Sequence, residues 1–138
     1  MPFLTPSLHF FKSWVGGWST AKFCILSLRP LLNAQNGHKD VVDALIATKA
    51  DVNKALTSDG ATPLYVAASN GHKDVVDALI AAKADLNKAK TLFGDTPLCV
   101  AACNGHKDVV DALIAAKADV NKADTTHGET PLFVAACN

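Results

Sequence analysis

Long apolar runs are missing from this chain of 138 residues. The longest candidate, Phe23 to Leu28, falls far short of the roughly 20 residues that a membrane-spanning helix needs, so no membrane role is expected. Acidic residues are missing from the first 39 positions, and arginine is missing after Arg29. Lysine plus arginine equals aspartate plus glutamate at 13 each, so no whole-protein field draws in nucleic acid or an anionic surface. The balance hides an asymmetry. Residues 1–35 carry only Lys12, Lys22 and Arg29, and the rest carries ten lysines against thirteen acids. Arginine is the preferred side chain for bidentate phosphate contacts. Its absence from the body argues against a nucleic-acid partner.

Cysteine is scarce and wrongly spaced for a disulfide framework. Cys24, Cys99, Cys103 and Cys137 form no CxxC pair, and a small secreted fold held by disulfides would carry more. Phosphate-cradling glycine loops are absent, as is any Ser/His/Asp or Cys/His arrangement outside the repeat described next. No enzymatic activity and no cofactor are expected.

What the chain does have is self-similarity, which decides the architecture. Asn-Gly-His-Lys-Asp-Val-Val-Asp-Ala-Leu occurs at 36–45, 70–79 and 104–113, and Thr-Pro-Leu at 62–64, 96–98 and 130–132. Both motifs recur every 34 residues, and segments 62–95 and 96–129 match at 27 of 34 positions, so the array arose by duplication. Thr62 is suited to cap a helix that Pro63 opens, because the missing N–H of proline is not needed in the first turn. Asn70-Gly71 breaks that helix. A second helix is expected from about Lys73 to Ala82, with Asp74 and Asp77 in its first turns and Lys83 near its end, as the helix dipole prefers. Val75, Val76, Leu79 and Ile80 make its apolar stripe. Ala84-Asp85-Leu86-Asn87 then leads to a turn or short hairpin around Gly94. Helices of about ten residues are marginal in water alone. Stacking successive units buries their stripes in one core, and repeated alanines such as Ala67, Ala68, Ala78 and Ala82 permit close approach.

Asp85-Leu86-Asn87, Gly94-Asp95-Thr96-Pro97-Leu98, Ala101-Ala102, Asn104-Gly105-His106 and Asp108-Val109-Val110 resemble the ankyrin repeat, over about residues 29–138. The resemblance implies an all-α solenoid of helix–turn–helix units with short β-hairpin or turn fingers. It also implies protein binding through finger tips and the exposed part of each first helix. Three departures stand out. The unit is one residue longer than usual, with the extra residue between Asn87 and Gly94. The family's histidine after Thr-Pro-Leu is replaced by Tyr65, Cys99 and Phe133. The glycine that usually ends the second helix is replaced by Lys49, Lys83 and Lys117, where a left-handed cap would be mildly strained.

The expected organisation is a non-repeat leader at 1–28, a degenerate first unit at 29–61, full units at 62–95 and 96–129, and a partial unit at 130–138. The leader holds six of the nine aromatics, and its composition fits an unrelated or disordered leader, a lid over the first unit, or a transit peptide. The expected location is cytoplasmic, or organellar if the leader is a transit peptide. Because the last unit stops before its second helix, the chain is expected to be a piece of a longer array. It is expected to be monomeric, with its uncapped C-terminal face able to associate.

Partner contacts are expected on the fingers and the first helices, mostly at positions where near-identical copies differ. The expected contacts are Leu56, Thr57, Ser58, Asp59 and Ala61 in the first finger, Thr91, Leu92, Phe93 and Asp95 in the second, and Thr125, Thr126, His127 and Glu129 in the third. On the first helices they are Tyr65, Ser69, Asn70, Cys99, Cys103 and Asn104. Phe93 with Leu92 is the strongest anchor, since exposed aromatics concentrate binding energy. The spacing Cys99-x3-Cys103-x2-His106 superficially suggests metal ligands. His38 and His72 repeat the histidine without paired cysteines and no fourth ligand is evident, so no metal is expected. The second reading of the chain is a structural spacer, or a fragment of a larger ankyrin-containing protein whose activity lies in other domains.

Overall fold

In a computed structural model, described here at residue 34 and residues 36–137, the repeat dictates the architecture. The leader, with its lid and transit-peptide readings, and the start of the first unit lie outside the described residues. Six helices lie wholly within the described residues, Ala34 and Asn36 are helical as well, and no strand occurs among the described residues. The six are α1 (Lys39–Ala47), α2 (Pro63–Ser69), α3 (Lys73–Ala81), α4 (Pro97–Cys103), α5 (Lys107–Ala115) and α6 (Pro131–Cys137). None of these is long and apolar enough to cross a membrane.

The caps fall where the residue types put them. Thr62 is extended, and its Oγ1 accepts from the Tyr65 amide at 3.2 Å; Thr96 does the same for Cys99 at 3.2 Å. Thr62 and Thr96 are buried, and their side-chain polar atoms leave no unmet hydrogen bond. The second helices, α1, α3 and α5, share the sequence KDVVDALIA. Each carries a lysine paired with the aspartate four residues on, Lys39–Asp43, Lys73–Asp77 and Lys107–Asp111. These pairs are solvent-exposed and contribute little to stability.

Each second helix ends with a residue in the left-handed region, Lys49 at φ 61°, Lys83 at φ 61° and Lys117 at φ 67°. The strain expected from the missing glycine is present. The geometry is a Schellman ending: Lys83 donates to the Ile80 carbonyl at 2.9 Å and Ala84 to the Leu79 carbonyl at 3.0 Å. Lys83 therefore lies just beyond the helix, not within its last turn. A left-handed lysine costs about 1 kcal/mol that glycine does not. Lys83→Gly is expected to raise the thermal midpoint, and a lower midpoint would show that the lysine contributes something the backbone does not.

Packing runs along the array. α2 pairs with α3 and α4 with α5 within units, while α2, α4 and α6 stack in one row and α1, α3 and α5 in another. The core between the rows contains Leu64, Val75, Val76, Leu79, Leu98, Val109 and Leu113, with the fully buried Ala67, Ala68 and Ala101. Polar bonds at nearly the same offset lock the register. The Asn53 side chain accepts from the Asp85 amide at 2.7 Å, and that of Asn87 from the Asp119 amide at 2.9 Å.

The fingers correct the hairpin alternative. Each is a turn closed by a backbone bond across its base, from Leu56 to Ala61 at 2.9 Å, Lys90 to Asp95 at 2.9 Å and Asp124 to Glu129 at 2.9 Å, and the first two hold a second inside it, from Gly60 to Leu56 at 2.9 Å and Gly94 to Lys90 at 2.8 Å. No strand ladder forms within a finger because the tips bond sideways to one another. Thr91 donates to the Asp59 carbonyl at 2.9 Å, and Thr125 to the Phe93 carbonyl at 3.2 Å.

Candidate interaction surface

The sideways bonds turn three separate tips into one continuous ledge. Phe93 sits at its centre. Its carbonyl accepts from the Thr125 amide and from the Thr126 hydroxyl at 3.1 Å, while Thr91, two residues earlier, is tied to the first finger. The backbone of the second tip is thus anchored on both sides. Its side chains are not covered: Leu92 is 62% and Phe93 51% exposed.

The other expected contact positions divide by burial. Thr57, Ser58, Asn70, Thr91, Cys103, Asn104, Thr125, Thr126 and His127 are exposed. Leu56, Asp59, Ser69, Asp95 and Glu129 are half-buried. Ala61, Tyr65 and Cys99 are buried, which corrects the expectation that these variable positions lie on the surface. Tyr65 lies under the second finger, with the Lys90 ammonium 5.4 Å from its ring centroid. Burial, then the nearby carboxylates of Asp95 and Asp59, push its hydroxyl up to about 12. The Cys99 thiol faces the Lys122 carbonyl at 3.6 Å. The equivalent Phe133 is exposed.

Lys90 is a residue the sequence did not single out. It reaches the Asp59 carboxylate at 3.1 Å as well as the Tyr65 ring, joining two fingers through one side chain. Burial alone would raise the Asp59 carboxyl. The hydrogen bonds from Lys90 and the Ala61 amide, with the lysine charge, outweigh it and hold that group below its ordinary value. Asp95 moves the other way, raised by burial and by the charge of Asp124.

Asp124 was also missed. It replaces Lys90 in the next copy, and its Oδ1 accepts from the His127 amide at 2.9 Å and the Glu129 amide at 3.1 Å. These amide bonds hold its carboxyl below its ordinary value. Asp124, His127 and Glu129 bring their ligand atoms within 4.8 Å of one another, but Asp124 is already engaged by the turn it organises. The spacing Cys99-x3-Cys103-x2-His106 does not converge on one point. Cys99 is buried against Lys122, whereas the His106 ring meets the Ser69 carbonyl of the preceding unit at 3.0 Å. Asn104 donates to that same carbonyl at 2.8 Å, a second tie between adjacent first-helix ends. Cys99, Cys103 and Cys137 are not in disulfides.

A family model for ankyrin repeats in three copies matches residues 26–90 and 79–138. The chain belongs to the ankyrin repeat family. No match is found among curated proteins. Ankyrin repeats generally mediate protein–protein interaction, and the family is in general a non-enzymatic binding module. The ankyrin units here place their variable residues in two settings, an exposed ledge of finger tips and a buried layer beneath it.

Proposed function

We propose that this ankyrin array is a protein-binding module whose partner seats on the finger ledge and the exposed ends of α2 and α4. The observation that carries the reading is the Leu92–Phe93 tip. Two large apolar side chains stand exposed on a backbone tied to the fingers on either side. A fixed backbone lowers the ordering cost of binding, and an aromatic on it can fill a partner's pocket. Ser69, Asn70, Cys103 and Asn104 at the helix ends and Thr57, Ser58, Thr125, Thr126 and His127 on the flanking fingers would form the polar surround.

Replacing Leu92 and Phe93 together by alanine is expected to weaken retention of a specific partner by about tenfold or more. The thermal midpoint should stay near that of the parent, since both side chains are exposed. The check is a quantitative comparison of proteins retained from cell extract by the two forms. Unchanged retention would remove the anchor and leave the spacer reading in its place.

A further inference from the structure

The charge on the finger ledge changes from one gap to the next. Its three tips, residues 56–61, 90–95 and 124–129, hold four acids and one lysine. Between the first and second fingers the charges cancel, because Lys90 meets Asp59 at 3.1 Å with both side chains largely covered. Between the second and third fingers both partners are exchanged. Phe93 stands where Asp59 stood, and Asp124 where Lys90 stood. Asp95 and Glu129 add carboxylates where the first finger has Ala61. Among the described residues neither Asp95 nor Glu129 is in an ion pair, and Asp124 has only the exposed His127 imidazole, 3.7 Å away. The Asp124 side chain is set back, 8% exposed, and charges so shielded are screened little by salt. The repulsion is felt at Asp95, whose carboxyl is pushed up by burial and then by the charge of Asp124, despite the nearby Lys90. These acids adjoin the exposed Leu92–Phe93 tip. Asp95 is two residues from Phe93, and Asp124 precedes the Thr125 amide that bonds the Phe93 carbonyl at 3.2 Å.

We propose that the partner segment seated on this ledge is basic: a polypeptide stretch that sets an apolar side chain against Leu92 and Phe93 and, beside it, an arginine or lysine against Asp95, Asp124 and Glu129. This basic occupant presupposes the protein-binding reading of the ledge and adds the chemistry of the partner. Its cation fills the role that Lys90 fills one finger earlier. It offsets carboxylates that have no lysine of their own in that gap, through charge-assisted hydrogen bonds that are stronger than neutral ones. An acidic segment would meet the same carboxylates and be repelled, so the charge selects between partners as well as attracting one.

Selection of displayed random peptides on the immobilised full chain tests this. Enriched sequences are expected to hold an arginine or lysine close to a leucine or an aromatic residue. One such peptide, synthesised with a fluorescent label, should bind Asp124→Lys about tenfold or more weakly than the parent. The second finger makes its turn with a lysine at that position, so the variant should fold. Circular dichroism checks it, and Asp95→Asn, which removes a charge and keeps the shape, takes its place if it does not. Exchanging the peptide's arginine or lysine for glutamine should weaken binding to the parent as much but binding to the variant little, because both changes remove one contact. The paired change Leu92→Ala with Phe93→Ala shows separately whether a peptide sits on the ledge. Peptides that need Leu92 and Phe93 but carry no cation, or that keep full affinity for Asp124→Lys, would overturn the basic partner and leave the ledge as a binding surface. Peptides indifferent to all these variants, or no enriched peptide at all, would overturn the basic partner and the binding ledge together.

Discussion

Replacing Leu79 by alanine will lower the free energy of unfolding by about 2–5 kcal/mol. Leu79 is 1% exposed in α3, the middle helix of its row, and belongs to the core cluster with Leu64, Leu98 and Leu113. Burying such a side chain contributes roughly 1.5–3 kcal/mol, and the cavity left behind adds to the loss because helices held on both sides cannot close over it. Ile114→Ala removes a similar volume from a largely exposed site and should cost well under half as much. Urea unfolding followed by circular dichroism compares the two. Equal effects would mean that the buried face of the second helix has been assigned to the wrong residues.

The second large effect is expected at Gly94. Its φ is +75°, and a Cβ there would lie 2.6 Å from the backbone nitrogen of Thr125 while running into that residue's side chain. That nitrogen belongs to the bond that ties the third finger to Phe93. Gly128 shares the left-handed conformation at φ +70° but has nothing within 4 Å. Gly128→Ala should therefore show only the backbone cost, about 1–2 kcal/mol. Gly94→Ala adds the overpacking cost of about 1–3 kcal/mol, because backbone cannot move aside as a flexible side chain can. Denaturant melts of both variants isolate the contact between fingers. Identical losses would show that the ledge is not closely packed in solution.

The helices were legible in the sequence because their signals are local. Thr62 and Pro63 announce the start of α2, Asn70-Gly71 ends it, and the valine and leucine spacing marks the buried stripe of α3. The left-handed lysines were legible too, since they stand where the resemblance puts a glycine. The fingers were half legible. Gly94 marks a turn, but nothing local says that the tips bond sideways instead of pairing into a hairpin. That choice depends on a neighbour in the adjacent unit, as in the Thr91–Asp59 and Thr125–Phe93 bonds. Variation between copies misled at Ala61, Tyr65 and Cys99. A position can vary and still be buried when its cover varies with it. Tyr65 is covered by Lys90, and the copy with Cys99 has Asp124 where Lys90 stood. Lys90 escaped notice because its carboxylate partner, Asp59, lies on another unit, and Asp124 because a charged residue in a polar stretch does not announce the turn amides it accepts from.

Adjacent units touch face to face, and the ledge exists only because they do. The imidazole of His106 lies directly against Gly71, so near that a Cβ on that glycine would fall 2.7 Å from Nδ1, and His72 stands in the same relation to Gly37. Nuclear Overhauser spectra of the chain should show strong cross-peaks from the Gly71 α-protons to the His106 ring and from the Gly37 α-protons to the His72 ring. Helical units whose glycine and histidine resonances share no such cross-peaks would contradict that contact.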